Sequence, residues 1–193
     1  DAYGNTTEKL LEKAKVAARQ CEKVVLCVGL PERYESEGFD RGSLKLPEGH
    51  LRLINAVTEE NANTIVILMS GGVVECPWAG KVKGILYAGL SGQAGAQAIA
   101  NILYGKVNPS GKLAESWPIN YEDCATAAFY GKEKDVIYRE GIYVGYRYYD
   151  KIQLPVRWCF GYGLSYTTFA YSNLKIQEPE PSEQIRQLQK NNQ

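Results

Sequence analysis

Three short apolar runs punctuate the first half of the chain. They are Val24-Val25-Leu26-Cys27-Val28, Ile65-Val66-Ile67-Leu68-Met69 and Ile85-Leu86-Tyr87-Ala88. Each ends in a glycine-containing loop, at Gly29, Gly71-Gly72 and Gly89. Such runs are too short for helices, and unbroken apolarity suits a strand buried on both faces. Helical periodicity fills the intervals. Leu10, Leu11, Ala14, Ala17 and Ala18 line one face of a first helix, with Asn5 the expected N-cap and Glu8 its capping-box partner. Leu51, Ile54 and Val57 face inward from a second. The stretch 94–104 predicts a small-residue third helix, with Ala94, Ala98, Ile99, Ile102 and Leu103 inward and Gly105 at its C-terminus. Strands alternating with helices predict an α/β fold: a three-layer sandwich with a mostly parallel sheet and right-handed crossovers.

From Pro109 the periodicity stops. Residues 138–171 hold eight of the fourteen Tyr, plus Trp158, Phe160 and Phe169. This predicts an irregular, aromatic-rich C-terminal extension. Aromatic faces stack on pyranose rings, but packing onto the sheet or a neighbouring domain is the expected use of these rings. Residues 177–193 read as a polar tail, leaving 1–176 as the domain.

Charge and composition narrow the function classes. The 193 residues carry 22 Lys plus Arg against 22 Asp plus Glu, a net charge of zero. That balance offers no footprint for nucleic acid or an anionic membrane, so neither is expected as a partner. No apolar run approaches the length of a membrane span. The five Cys have no C-x-x-C spacing, which argues against zinc and leans toward free thiols in a reducing compartment. A secretion signal upstream remains compatible, so localisation stays open. The single His, His50, is expected at the surface. No G-x-G-x-x-G follows a strand, so a nucleotide-binding reading has fold analogy alone.

Chemistry concentrates after the first apolar run, in Glu32-Arg33-Tyr34-Glu35-Ser36-Glu37-Gly38-Phe39-Asp40-Arg41. In parallel sheets ligands bind beyond the carboxyl ends of the strands, so the three glycine-containing loops are expected to share one rim. Four carboxylates lie in nine residues there. Crowding or desolvation raises a carboxyl pKa, which is what a general acid near neutral pH needs. Gly38 is expected to permit a turn projecting Glu37, and Arg41 to pair with Asp40. Tyr34 and Phe39 suit either sugar stacking or packing. An inert solvated loop fits the same residues. Calcium does not, since the spacing departs from the EF-hand pattern.

Longer strings carry a resemblance. VVLCVGLPERYESEGFDR (24–41), NTIVILMSGGVVECPW (63–78), AGLSGQAGAQAIANILYGKVNPSGKLAESWP (88–118), YREGIYVGYRYYD (138–150) and FGYGLSYTTF (160–169) appear in order. On these the chain resembles the C-terminal α/β domain of glycoside hydrolase family 3, the family of many β-glucosidases. The resemblance implies a retaining, exo-acting β-glycosidase acting on a β-glycoside or oligosaccharide, with no cofactor or metal. It implies a six-stranded sandwich partnered by a (β/α)₈-type barrel that supplies the nucleophilic Asp. It also implies an acid/base Glu in an E-G-x-D-R loop, here Glu37, with Glu35 as runner-up. Tyr34, Phe39, Asp40 and Arg41 then become candidate substrate contacts.

Departures accompany the match. No nucleophile motif is present, and 193 residues cannot hold the ~250 of such a barrel. An earlier strand and helix and a fibronectin-like third domain, usual in the family, are not found. Ala94 stands where an acidic residue is common, and Ala114 where Pro is usual. The expectation is a piece of a larger enzyme that is inactive alone. The alternative is a non-catalytic scaffold or a carbohydrate-binding or assembly domain.

Overall fold

The computed structural model describes residues 3–132 and 134–177. The polar tail expected over 177–193 therefore lies outside the described residues, apart from Gln177. The first helix, α1, runs Glu8–Arg19. Its N-cap is Thr7, not Asn5: the Thr7 hydroxyl accepts the Leu10 N–H at 3.3 Å. Strand β1 follows at Val24–Gly29, then helix α2 at Glu48–Glu60 and strand β2 at Thr64–Met69. A 3₁₀ turn at Ala79–Lys81 leads to strand β3 at Gly84–Tyr87, and helix α3 spans Gly95–Leu103. Gly105 ends α3 with φ +68°, the left-handed setting expected of it.

The three strands form one parallel sheet in the order β1-β2-β3. Register pairs Leu26 with Val66 and Val66 with Ile85, so alternate residues share a face. On one face Leu26, Val28, Val66 and Leu68 join Ala18 of α1 and Ile54 and Val57 of α2 in the main core. The other face differs from expectation. Ile67 is buried there, but Val25 and Cys27 of β1 are exposed. β1 lies at an edge of the described sheet, so its apolar run is covered on one side only. The helices show the same bias. Leu10, Ala17, Ala94 and Ala98, expected inward, are exposed, while Leu11, Ala18, Ile54 and Val57 are buried.

The extension after Pro109 is mostly irregular, with two elements the sequence did not announce among the described residues: a 3₁₀ turn at Tyr121–Asp123 and helix α4 at Tyr146–Ile152. It is tied down around Trp117. Trp117 exchanges backbone hydrogen bonds with the Arg157–Trp158 segment, at 2.8 and 2.7 Å. Its ring is buried, meets Tyr87 of β3 edge-on at 5.1 Å, and meets Trp158 at 5.5 Å. Its indole N–H donates to Val74 O. Packing thus accounts for Trp117, Trp158 and Tyr149, whereas Tyr138 and Tyr171 are 89% and 93% exposed. Trp117 is the wedge between sheet and extension. Trp117→Ala is expected to cost about 3–5 kcal/mol, read as a lower urea midpoint with little change in slope. A midpoint shift worth under 1 kcal/mol would contradict that role.

Candidate active site

Parallel strands bring their carboxyl ends to one edge, and the loops after β1 and β2 interlock there. β1 ends at Gly29 because nothing larger fits. A Cβ at Gly29 would stand 1.9 Å from Met69 O, at the end of the neighbouring strand. Leu30 N then donates to that same carbonyl at 2.9 Å, steering the chain outward. Pro31 begins a turn, its carbonyl accepting from Tyr34 N and Glu35 N.

The Glu35 carboxylate reaches the second loop and accepts the Gly71 N–H at 2.7 Å. Gly71 is suited to this approach, since a Cβ there would lie 3.2 Å from the Glu35 carboxyl. Arg41 returns to the same place. Its Nη1 donates to Val73 O at 3.0 Å and stands 3.8 Å from Glu35 Oε1. Both side chains are about four-fifths buried. The anticipated pairing of Arg41 with Asp40 is therefore corrected. Arg41 turns inward to Glu35, and Asp40 turns outward to accept a hydrogen bond from Tyr130, whose hydroxyl pKa it raises.

Between these anchors the chain makes a tight turn. Ser36 and Phe39 form an antiparallel bridge, and Gly38 N lies 3.4 Å from Ser36 Oγ. Glu37 and Gly38 occupy the tip, and Glu37 is exposed. Gly38 does not adopt a positive φ, so the turn does not draw on the backbone freedom expected of that glycine. Tyr34 and Phe39 are also exposed and line an open groove of about 380 Å³ with Asp40 and Arg41.

Two further groups belong to the rim. The Tyr87 hydroxyl donates to Ser70 O at 3.0 Å, tying the end of β3 to that of β2. Burial first, then Glu115 and Glu35, push its pKa up. Glu115 stands on the solvent side of the cluster, where partial desolvation lifts its carboxyl and Arg41 draws it back. Burial in turn pulls the Arg41 guanidinium below its ordinary value, against the pull of Glu35, Glu115 and Tyr87. Sequence reading passed over Glu115, which lies 74 positions beyond Arg41 and carries no local signal. Among the described residues no group of three or more His, Cys, Asp or Glu is arranged to hold a metal. No described helix is long and apolar enough to cross a membrane.

Residues 3–146 match the glycosyl hydrolase family 3 C-terminal domain. The chain belongs to this family. Relatives of this family 3 domain include thermostable beta-glucosidase B of Acetivibrio thermocellus, 46% identical over 91% of this chain and 23% of that protein. Probable beta-glucosidase J of Neosartorya fischeri is 44% identical over 91% of the chain and 20% of its own length. Among solved structures, a beta-glucosidase from Kluyveromyces marxianus, determined in complex with glucose, superposes with a TM-score of 0.84 at 40% identity. That match covers 90% of this chain and 21% of the other. The Bifidobacterium adolescentis GH3 beta-glucosidase gives 0.82 at 46% identity, over 86% and 25%. The chain thus spans about a fifth to a quarter of the proteins it matches.

His50 supports the rim from beneath. Contrary to the expectation of a surface residue, it is half-buried, with Nδ1 2.9 Å from Gly29 O. Burial lowers its pKa below the ordinary 6.5, partly offset by that hydrogen bond. The folded state thus favours the neutral ring, while the unfolded chain takes up a proton first as pH falls. The stability involved is present above about pH 6.5 and is lost as pH drops through the lowered folded value. Urea midpoints across pH 4.5–8 are expected to show this loss in the parent chain, and a shallower one in His50→Asn. Parallel curves would contradict it.

Proposed function

We propose that the chain is the acid/base-bearing lobe of a retaining, exo-acting β-glycosidase that removes terminal β-linked sugars in the manner of a β-glucosidase. Glu37 is the acid/base, and a (β/α)₈-type barrel in the complete protein supplies the nucleophile. Membership of family 3 and the beta-glucosidase relatives support the class of reaction. One observation favours Glu37 over Glu35: Glu37 stands exposed at the tip of the turn, whereas Glu35 is occupied by Gly71 N–H and Arg41. A carboxyl that must protonate an oxygen on a substrate held by another lobe has to be free to reach it.

The chemistry divides between two carboxyl groups about 5–5.5 Å apart across the scissile bond. The nucleophile attacks the anomeric carbon while Glu37 delivers its proton to the departing oxygen. Glu37, now a carboxylate, takes a proton from water, which hydrolyses the glycosyl-enzyme and restores the starting state. Phe39 and Tyr34, on either side of the tip, offer apolar faces beside the leaving group. Asp40 and Arg41 close the loop behind them. Carrying the acid on a separate lobe lets it arrive over the sugar without occupying space among the groups that grip the ring.

Aryl β-glucosides of graded leaving-group acidity test the assignment. In the complete protein, Glu37→Gln is expected to slow substrates with poor leaving groups by ~10²–10⁴-fold, because general acid catalysis supplies that much. A dinitrophenyl glucoside, whose oxygen leaves without a proton, is expected to slow far less. Equal slowing across the series, or none, would reject Glu37 as the acid. The present chain alone is expected to hydrolyse none of them.

A further inference from the structure

We propose that Arg41 is a positioning residue that acts through Glu37, by pinning the turn that carries it to the end of β2. The proposal rests on the reading of Glu37 as acid/base. Within itself the turn has little to hold it: one isolated bridge between Ser36 and Phe39, and a long contact from Gly38 N to Ser36 Oγ. Its two legs, however, are fastened at their bases. Glu35 on the incoming leg binds Gly71 N–H, and Arg41 on the outgoing leg binds Val73 O. The two anchors also pair with each other at 3.8 Å. Both legs are thus mounted on residues 71–73, which continue directly from β2. That strand is the middle one of the sheet, with Val66, Ile67 and Leu68 fully buried. An exposed carboxyl thereby acquires a rigid foundation.

The chemistry of Arg41 favours this role over plain packing. Its Nη2 is buried and finds no hydrogen-bond partner among the described residues. A buried donor without a partner is destabilising, and an apolar side chain would avoid the cost. What an apolar side chain lacks is a charged N–H group, and Arg41 Nη1 alone meets both the Val73 carbonyl at 3.0 Å and the Glu35 carboxylate at 3.8 Å. Lysine keeps the charge but not the planar guanidinium that fixes where that N–H points. The field is also local: Glu35, Glu115 and Tyr87 all lie within electrostatic reach of Arg41. Arg41 can therefore stay charged with its carboxylate neighbours while Glu37 remains uncommitted.

The test uses the complete protein and four variants: Arg41→Met, Arg41→Lys, Gly71→Ala and Glu37→Gln. Misplacing a reacting group by about 1 Å costs on the order of 10²-fold, so Arg41→Met is expected to lower kcat for a poor-leaving-group glucoside by roughly that factor. KM should barely move, and a dinitrophenyl glucoside should lose only a few-fold. Arg41→Lys should fall between Arg41→Met and the parent. Gly71→Ala crowds the Glu35 carboxyl without touching Arg41 or Glu37, and should shift the same substrates in the same direction, more weakly. It keeps the test open should Arg41→Met fold poorly. Combining Arg41→Met with Glu37→Gln should be no slower than Glu37→Gln alone, since one acts through the other.

Hydrogen exchange gives a readout independent of turnover. The peptide spanning 70–74 should exchange faster in Arg41→Met, while 64–69 should not change. Additive losses in the double variant, or unchanged kcat with unchanged exchange, would overturn the proposal. Faster exchange with unchanged kcat would overturn the positioning role while leaving the strut in place. If Glu37→Gln shows no leaving-group dependence, the acid assignment fails on its own data and the positioning role falls with it. The exchange result still decides whether the strut exists.

Discussion

One carboxylate resting on one backbone amide organises the candidate functional end of this molecule. Glu35 reaches from the loop after β1 to the N–H of Gly71 after β2, and Arg41 closes the contact from the other side. A charged acceptor makes this a strong hydrogen bond, and the partial burial of both side chains reduces the screening of the ion pair by water. Without it, the segment from Pro31 to Arg41 would be a solvated acidic loop of the kind found on many proteins. With it, two loops from adjacent strands become one rim. The constraint propagates backwards as well: Gly71 must stay small, and Gly29 must stay smaller than any side chain, for the two strand ends to lie so close.

The sheet supplies the rigidity that the rim borrows. β2 is flanked on both edges and buried through its centre, from Val66 to Leu68, whereas β1 exposes Val25 and Cys27 and β3 is only half-buried. The C-terminal extension completes the main core where α1 and α2 do not reach, through Trp117 against Tyr87 and Val74. Tyr87 then carries that packing to the rim through its hydroxyl on Ser70 O. Core, extension and site are thereby joined through a few contacts at the end of β2.

Much of this was legible in the order of the residues. Unbroken apolar runs closed by glycine located all three strands, because burial in a parallel sheet leaves no polar alternation to confuse the pattern. The inward residues of α2 and the closing role of Gly105 followed from helical spacing and backbone chemistry. The acidic loop was legible as a candidate site from its place after the first strand and its four carboxylates, although an inert solvated loop fits the same residues. What was not legible depends on distance along the chain. Arg41 prefers Glu35 to adjacent Asp40 because folding brings Val73 O and a buried carboxylate to it, while Tyr130 claims Asp40 from 90 positions away. Thr7 displaces Asn5 because the helix starts two residues later than the capping-box pattern suggested. Glu115 and the burial of His50 are consequences of packing alone. The exposed flank of β1 shows that an apolar run predicts a strand better than it predicts what covers the strand.

Two neighbouring carboxyl groups divide the labour in the proposed function: Glu35 holds the loop, and Glu37 serves as the acid/base. A crystal structure of the complete protein with an unreactive β-glucoside analogue bound tests it most directly. A Glu37 carboxyl oxygen is expected about 2.6–3.2 Å from the glycosidic oxygen, with Glu35 still on Gly71 N–H. A bound sugar whose glycosidic oxygen meets Glu35 while Glu37 points into solvent would contradict it.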